Sequence, residues 1–218
     1  METGNKLLGT VSAICLIVTV IWLALFIYGT AAQGAVETMD QALASVADPG
    51  PLYFLTYLNA TLVTLSAIML FAGLAVRCEA VAPLWAAMGA AFVPIYGLLN
   101  LFAYLSQITI VPRMAALRPG VDVLLAQMVQ AWPGSAVNVL NNLGYAVLGV
   151  PSIIFGLLLG KREPSLRVAG ILLALSGMAS IVGLVGIVVR SAALGLGSIV
   201  GGVLFLAALV PLSVVWLR

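Results

Sequence analysis

The sequence predicts an all-α membrane protein, a polytopic transmembrane helix bundle of about six spans, and composition, charge and the length of the apolar runs are the observations that predict it. Hydrophobic residues make up 63% of the 218 positions and charged residues only 7%, with a mean hydropathy of +1.22. Soluble chains carry about 25% charged residues, so a shortfall this large means that most of the surface faces lipid. A span needs about 20 apolar residues and must satisfy its own backbone hydrogen bonds, which a helix does. Residues 1–218 therefore read as a single transmembrane domain, with no room for a separate soluble one.

Taken in order, the uncharged runs place spans at about 7–28, 52–76, 83–108, 137–159, 168–189 and 192–217. The first follows Lys6 and has the length of an uncleaved anchor rather than of a secretory signal. Basic residues of short loops concentrate on the cytoplasmic side. An N-in, C-in reading places Lys6, Arg77, Lys161, Arg162, Arg167 and Arg218 inside and leaves Arg113, Arg118 and Arg190 outside. The cluster Lys161, Arg162 and Arg167 sets topology on this reading, with contact to anionic membrane lipid as a weaker alternative.

The outer loops then carry two amphipathic stretches. Between Ala35 and Ala47, Val36, Met39, Leu43 and Val46 recur at helical spacing. Between Val121 and Trp132, Val121, Leu124, Leu125, Met128 and Trp132 share one side. Both read as short helices at the outer interface, resting on the membrane or closing over a pocket. Pro94, Pro151 and Pro211 are expected to kink their spans or free a carbonyl. In the last two spans, Ala193, Gly197 and Gly201 on one and Ala179 and Gly183 on the other are spaced for close helix packing. An echo between Phe71–Glu79 and Phe155–Glu163 gives two hairpins that turn at similar basic and acidic residues. Coincidence of apolar composition explains it better than duplication.

Polar side chains within spans are costly and usually face the interior. Tyr96, Asn100, Tyr104 and Gln107 stack on one face of the third span. Asn138, Asn142 and Tyr145 stack on the fourth, with Asn141 and Ser152 close by, and the second adds Thr56, Asn59 and Ser66. The expected site is a polar, uncharged chamber near the outer leaflet, binding a ligand through Asn59, Tyr96, Asn100, Tyr104, Gln107, Asn138, Asn142 and Tyr145. Amides and phenols suit neutral or zwitterionic groups, lipid head groups included, with Arg113 and Arg118 at the rim for an anionic moiety. The competing reading is that the amides only join helices by hydrogen bonds of about 0.6 kcal/mol each.

Several classes fall away. Charge is small, +2, and forms no basic stripe, so nucleic acid is not a partner. With no histidine, and with Cys15 and Cys78 far apart and expected to be reduced, no metal or haem site is expected, and no cofactor. No span holds an ionisable Asp, Glu, Lys or Arg, which disfavours a proton-driven pump. No base accompanies Ser66, Ser106 or Ser152, and no phosphate-cradling motif is present, so no catalytic signature is found. An enzyme would have to draw its base from Glu37, Asp40, Asp48 or Asp122 folding over the chamber. The other alternative is an accessory subunit whose small-residue faces dock on a partner membrane subunit or on a second copy of the chain.

The stretch Asn100 to Pro112, NLFAYLSQITIVP, followed in the next span by Leu143-Gly144-Tyr145, resembles an uncharacterised family of bacterial polytopic membrane proteins. Its members combine N-x3-Y-x2-Q-x-T-x-V with a later L-G-Y. The resemblance covers roughly Tyr96 to Leu159. It implies a multi-pass fold in a bacterial plasma membrane and no chemistry. Members often carry an acidic residue just before the L-G-Y, where this chain has Asn142.

Overall fold

The computed structural model describes residues 2–34 and 36–217. Ala35, where the first loop stretch is expected to begin, and Arg218, counted among the cytoplasmic basic residues, lie outside the described residues. The fold is all-α, 85% helical, with no strand among the described residues. The helices are α1 (Glu2–Gln33), α2 (Met39–Ser45), α3 (Pro51–Glu79), α4 (Pro83–Thr109), α5 (Val111–Ala115), α6 (Asp122–Met128), α7 (Ala136–Arg162), α8 (Arg167–Val188), α9 (Ala192–Gly195) and α10 (Gly197–Leu217), with a 3-10 turn at Pro164–Leu166.

Among the described residues six segments are long and apolar enough to cross a membrane: Gly4–Ala31, Pro51–Glu79, Pro83–Thr109, Ala136–Arg162, Pro164–Val188 and Ala192–Leu217. This is a multi-pass membrane protein. The helices overrun the apolar stretches because backbone hydrogen bonding continues into polar flanks such as Lys6 and Thr30, where no apolar side chain is needed. The helices run uninterrupted through Pro94, Pro151 and Pro211.

Two compact units divide the chain: residues 1–17, 65–97 and 142–218 form one, residues 18–64 and 98–141 the other. In the first, Phe71, Phe155, Leu159, Leu173, Leu209 and Leu212 are fully buried. Phe71 lies 6.1 Å from Phe155 and 6.2 Å from Phe205, ring to ring, within the span at which aromatic pairs attract. Helix α8 meets α7 and α10 through glycine. A Cβ on Gly156 would stand 2.5 Å from the Gly170 carbonyl oxygen, and one on Gly183 would stand 2.4 Å from the Ser198 nitrogen, so only hydrogen fits at either crossing.

At one end of this unit the turns flagged by the sequence echo are joined to each other. Arg77 donates from Nε to Glu163 Oε1 at 2.6 Å and forms an ion pair with it through NH2; its NH1 donates to Asn5 at 2.6 Å. Arg162 donates to the Arg77 carbonyl, and Trp216 donates from its indole nitrogen to Glu163 Oε2 at 3.3 Å. The Arg77 guanidinium also lies 5.7 Å from the Trp216 ring centre, a cation–π contact. One guanidinium thus ties together α1, α3, α10 and the segment after α7.

In the second unit α2, α5 and α6 pack on one another around Ala42, Leu43, Val46, Val111, Leu125, Ala126 and Val129, all buried. Thr38 caps α2 in a capping box, its side chain accepting from Gln41 N while Gln41 Oε1 accepts from Thr38 N. The amphipathic faces therefore find partners in each other, and they build a small core of their own. Leu124, expected on the inward stripe of α6, is 60% exposed, because the helix spans only Asp122–Met128 and turns Leu125 and Ala126 inward.

Candidate functional site

Helix α6 ends at Met128 although the amphipathic pattern runs on to Trp132, and a side chain from α4 explains the stop. Gln107, fully buried, donates from Nε2 to the Met128 carbonyl at 2.8 Å and accepts the Gln130 backbone N–H on Oε1 at 3.1 Å. One carboxamide thus takes the backbone bonds that further helix would have used. Val129, between them, is extended, and Trp132 precedes Pro133, which also disfavours helix.

The segment so held brings Gln130 into contact with three helices. Its carbonyl accepts from Asn138 Nδ2 at 2.9 Å, its side-chain Oε1 accepts from the Tyr57 hydroxyl at 3.2 Å, and its Nε2 donates to Asn141 Oδ1 at 3.1 Å. Asn141 in turn donates from Nδ2 to Asn100 Oδ1 at 2.5 Å. The donors run one way, from Tyr57 through Gln130 and Asn141 to Asn100. Asn100 is fully buried, and its Nδ2 ends the chain with no partner among the described residues. A buried donor left unpaired costs about 1–3 kcal/mol. Tyr53 adds a bond from its hydroxyl to Gln107 Oε1 at 3.3 Å, and Tyr53, Tyr57 and Tyr104 pack with rings 4.8 and 6.4 Å apart.

Of the eight residues expected at the site, Asn100, Gln107 and Asn138 belong to this network, and Tyr104 packs against it. Asn59 belongs to the same unit and its Oδ1 is likewise buried and unpaired. Two residues along a helix is a turn of about 200°, so Asn59 leaves α3 on the side away from Tyr57 and does not join the chain. Tyr96, Asn142 and Tyr145 belong to the other unit, where Tyr96 is buried in the core with its ring 6.3 Å from that of Tyr145. The rim residue Arg118 is paired with Asp122 at 2.7 Å, so both that cation and one candidate base are engaged with each other.

Gln130, Tyr53 and Tyr57 are functional candidates beyond the eight. The two tyrosines stand one turn apart on α3, and that spacing was the available signal. For Gln130 the signal was weaker: an amide in the last turn of an amphipathic pattern just before Trp132-Pro133. No group of three or more Cys, Asp or Glu that could hold a metal occurs among the described residues. Two open grooves, one between α8 and α10 lined by Leu175, Val182 and Leu204 and one along Gly120–Leu124 of the α6 segment, involve none of the eight residues.

What the arrangement offers chemically is neutral hydrogen bonding in an apolar setting, with no charged side chain in the chain of bonds. Neither family models nor curated proteins nor solved structures give a match to the chain.

Proposed function

We propose that this membrane protein binds, or passes, a small neutral or amphipathic molecule at the polar site where α3, α4 and α7 meet the segment after α6. The supporting observation is the buried Asn100 Nδ2, a donor without a partner at the end of an otherwise satisfied chain. Each such group calls for an explanation, and a ligand acceptor atom supplies one. A charged ligand would find no counter-ion along the chain and would keep most of its desolvation penalty. On this reading the site lies toward the outer side of a bacterial plasma membrane and ligand arrives from the outer leaflet, where lipid head groups are also at hand; the bias of basic residues among the loops supports that orientation.

The alternative of an accessory subunit loses one of its supports, since Gly183 and Gly197 are already spent on packing α8 against α10. The test is thermal unfolding of the purified protein in lipid nanodiscs with glycerol, acetamide and phosphocholine. At least one should raise the melting temperature of the wild type and leave Asn100→Leu unmoved. Equal stabilisation of both proteins, or no shift with any probe, overturns the reading.

A further inference from the structure

Gln130 is held in two separable ways. Its backbone is fixed by Gln107 at the N–H and by Asn138 at the carbonyl, at 3.1 and 2.9 Å, on a segment that belongs to no helix. Its side chain is fixed only by the Tyr57 hydroxyl at 3.2 Å, beyond the ordinary range for such a bond, and by Asn141 Oδ1 at 3.1 Å, toward the long end of its range. The carboxamide can therefore leave while the segment stays in place. Gln130 is half-buried, whereas Tyr57 and Asn141 beneath it are 8% and 5% exposed.

We infer that the slot between Tyr57 and Asn141 is a binding site for a carboxamide or ureido group, and that the Gln130 side chain is a built-in competitor occupying it in the absence of ligand. This inference rests on the function proposed above and names its ligand class. The slot is shaped by what fills it: one atom accepts from Tyr57 and its neighbour donates to Asn141. Reversing every donor and acceptor in the chain leaves the same demand, because a hydroxyl and an amide can each play either part.

With the bonds as found, a carboxylate sets a second acceptor against Asn141 Oδ1 and is accommodated only when the Asn141 and Asn100 amides turn over, and an ammonium only when the Tyr57 hydroxyl turns from donor to acceptor, whereas a carboxamide needs neither change. A single hydroxyl has its donor and acceptor on one atom and serves only one of the two positions well. The unpaired Nδ2 of Asn100, bonded through its own Oδ1 to Asn141, is the independent observation that the chain has capacity beyond Gln130.

A tethered side chain competes as a high local concentration of its own functional group. Removing it should therefore tighten binding. The experiment titrates acetamide and propionamide into the full chain in nanodiscs, with acetate, methylammonium and glycerol as comparisons, and reads melting temperature. Gln130→Ala should bind the amides about tenfold more tightly than wild type, the equivalent of two modest hydrogen bonds no longer given up. Asn141→Leu should not respond to them.

Weaker amide binding by Gln130→Ala would make Gln130 part of the site and overturn the competitor. A response to glycerol but not to amides, lost in Asn100→Leu, would overturn the carboxamide class while leaving the proposed function standing. No response from any protein to any probe would remove both. If Gln130→Ala does not fold, Gln130→Glu keeps the volume and the bond from Tyr57 but sets an acceptor against Asn141 Oδ1, and it should show the same gain.

Discussion

Gln107 holds Gln130 by its main chain, accepting the backbone N–H at 3.1 Å, while the same carboxamide donates to the Met128 carbonyl two residues earlier. A side chain from a spanning helix thereby stands in for a turn of helix in a loop, and the loop's geometry depends on it. Gln107→Leu leaves both of those part-buried backbone groups without these partners, at up to about 1–3 kcal/mol each. We expect a loss of about 2–4 kcal/mol in unfolding experiments, together with new proteolytic cleavage between Val129 and Gly134. Gln107→Glu keeps the acceptor and loses the donor, and should fall between. Wild-type stability in Gln107→Leu would mean that the segment is held by something else.

A paired amide, Asn141, and an unpaired one, Asn59, give a contrast. Asn141→Leu removes both the donor to Asn100 and the acceptor for Gln130, leaving the buried Asn100 Oδ1 and the half-buried Gln130 Nε2 without those partners. At about 0.6 kcal/mol per hydrogen bond between membrane helices, and more where a partner is orphaned, the loss should be about 1–3 kcal/mol. Asn59→Leu removes an acceptor that has no partner to lose, and should be neutral or slightly stabilising. A larger loss for Asn59→Leu than for Asn141→Leu in chemical unfolding would contradict the assignment of these bonds.

The spans and their order were legible in the sequence because lipid imposes a long, uncharged, helical stretch, and little besides composition is needed to see one. The site was legible only by halves. Stripes of amides on α4 and α7 pointed to Asn100, Gln107 and Asn138, since periodicity assigns side chains to a face of their own helix. Periodicity does not assign them to a unit, and so Tyr96, Asn142 and Tyr145 fell on the same stripes as residues that belong elsewhere. The loop was harder still. Its amphipathic pattern alone predicts interfacial helix, whereas the helix stops where Gln107 binds the Met128 carbonyl, a tertiary effect that no local pattern records. The sequence offers Arg77 only as a cytoplasmic basic residue and Glu163 only as part of an echoed turn, because the separation between them hides that they are one ion pair.

That ion pair is largely buried, with the Arg77 and Glu163 side chains 13% and 19% exposed. Removing one partner of a buried pair costs about 3–5 kcal/mol because the other charge is stranded, so Arg77→Ala should be the most damaging of the substitutions at this end. The double variant Arg77→Met with Glu163→Gln strands no charge and should recover part of the loss. A double-mutant cycle on unfolding free energies measures the coupling, and additivity of the two single effects would show that the pair is not energetically joined.

Glycine supplies the sharpest contrast in α10. Gly201 and Gly202 are neighbours with the same intrinsic helix penalty, yet a Cβ on Gly201 would stand 2.3 Å from Ser180 Oγ and 3.0 Å from the Ser176 carbonyl oxygen, whereas one on Gly202 would meet nothing within 4 Å. Gly202→Ala should therefore gain up to about 1 kcal/mol from helix propensity alone. Gly201→Ala must push α8 and α10 apart and break the bond from Ser176 Oγ to the Gly201 carbonyl, 2.7 Å long. It should cost about 1–3 kcal/mol, the usual range for overpacking. Gly183→Ala should behave as Gly201→Ala does, since its Cβ would meet the Ser198 backbone nitrogen at 2.4 Å as well as Ser198 Oγ at 2.3 Å, and the backbone cannot swing away. Melting temperatures of the three variants in the same nanodiscs check the order, and equal effects at Gly201 and Gly202 would mean that α8 and α10 do not cross at this point.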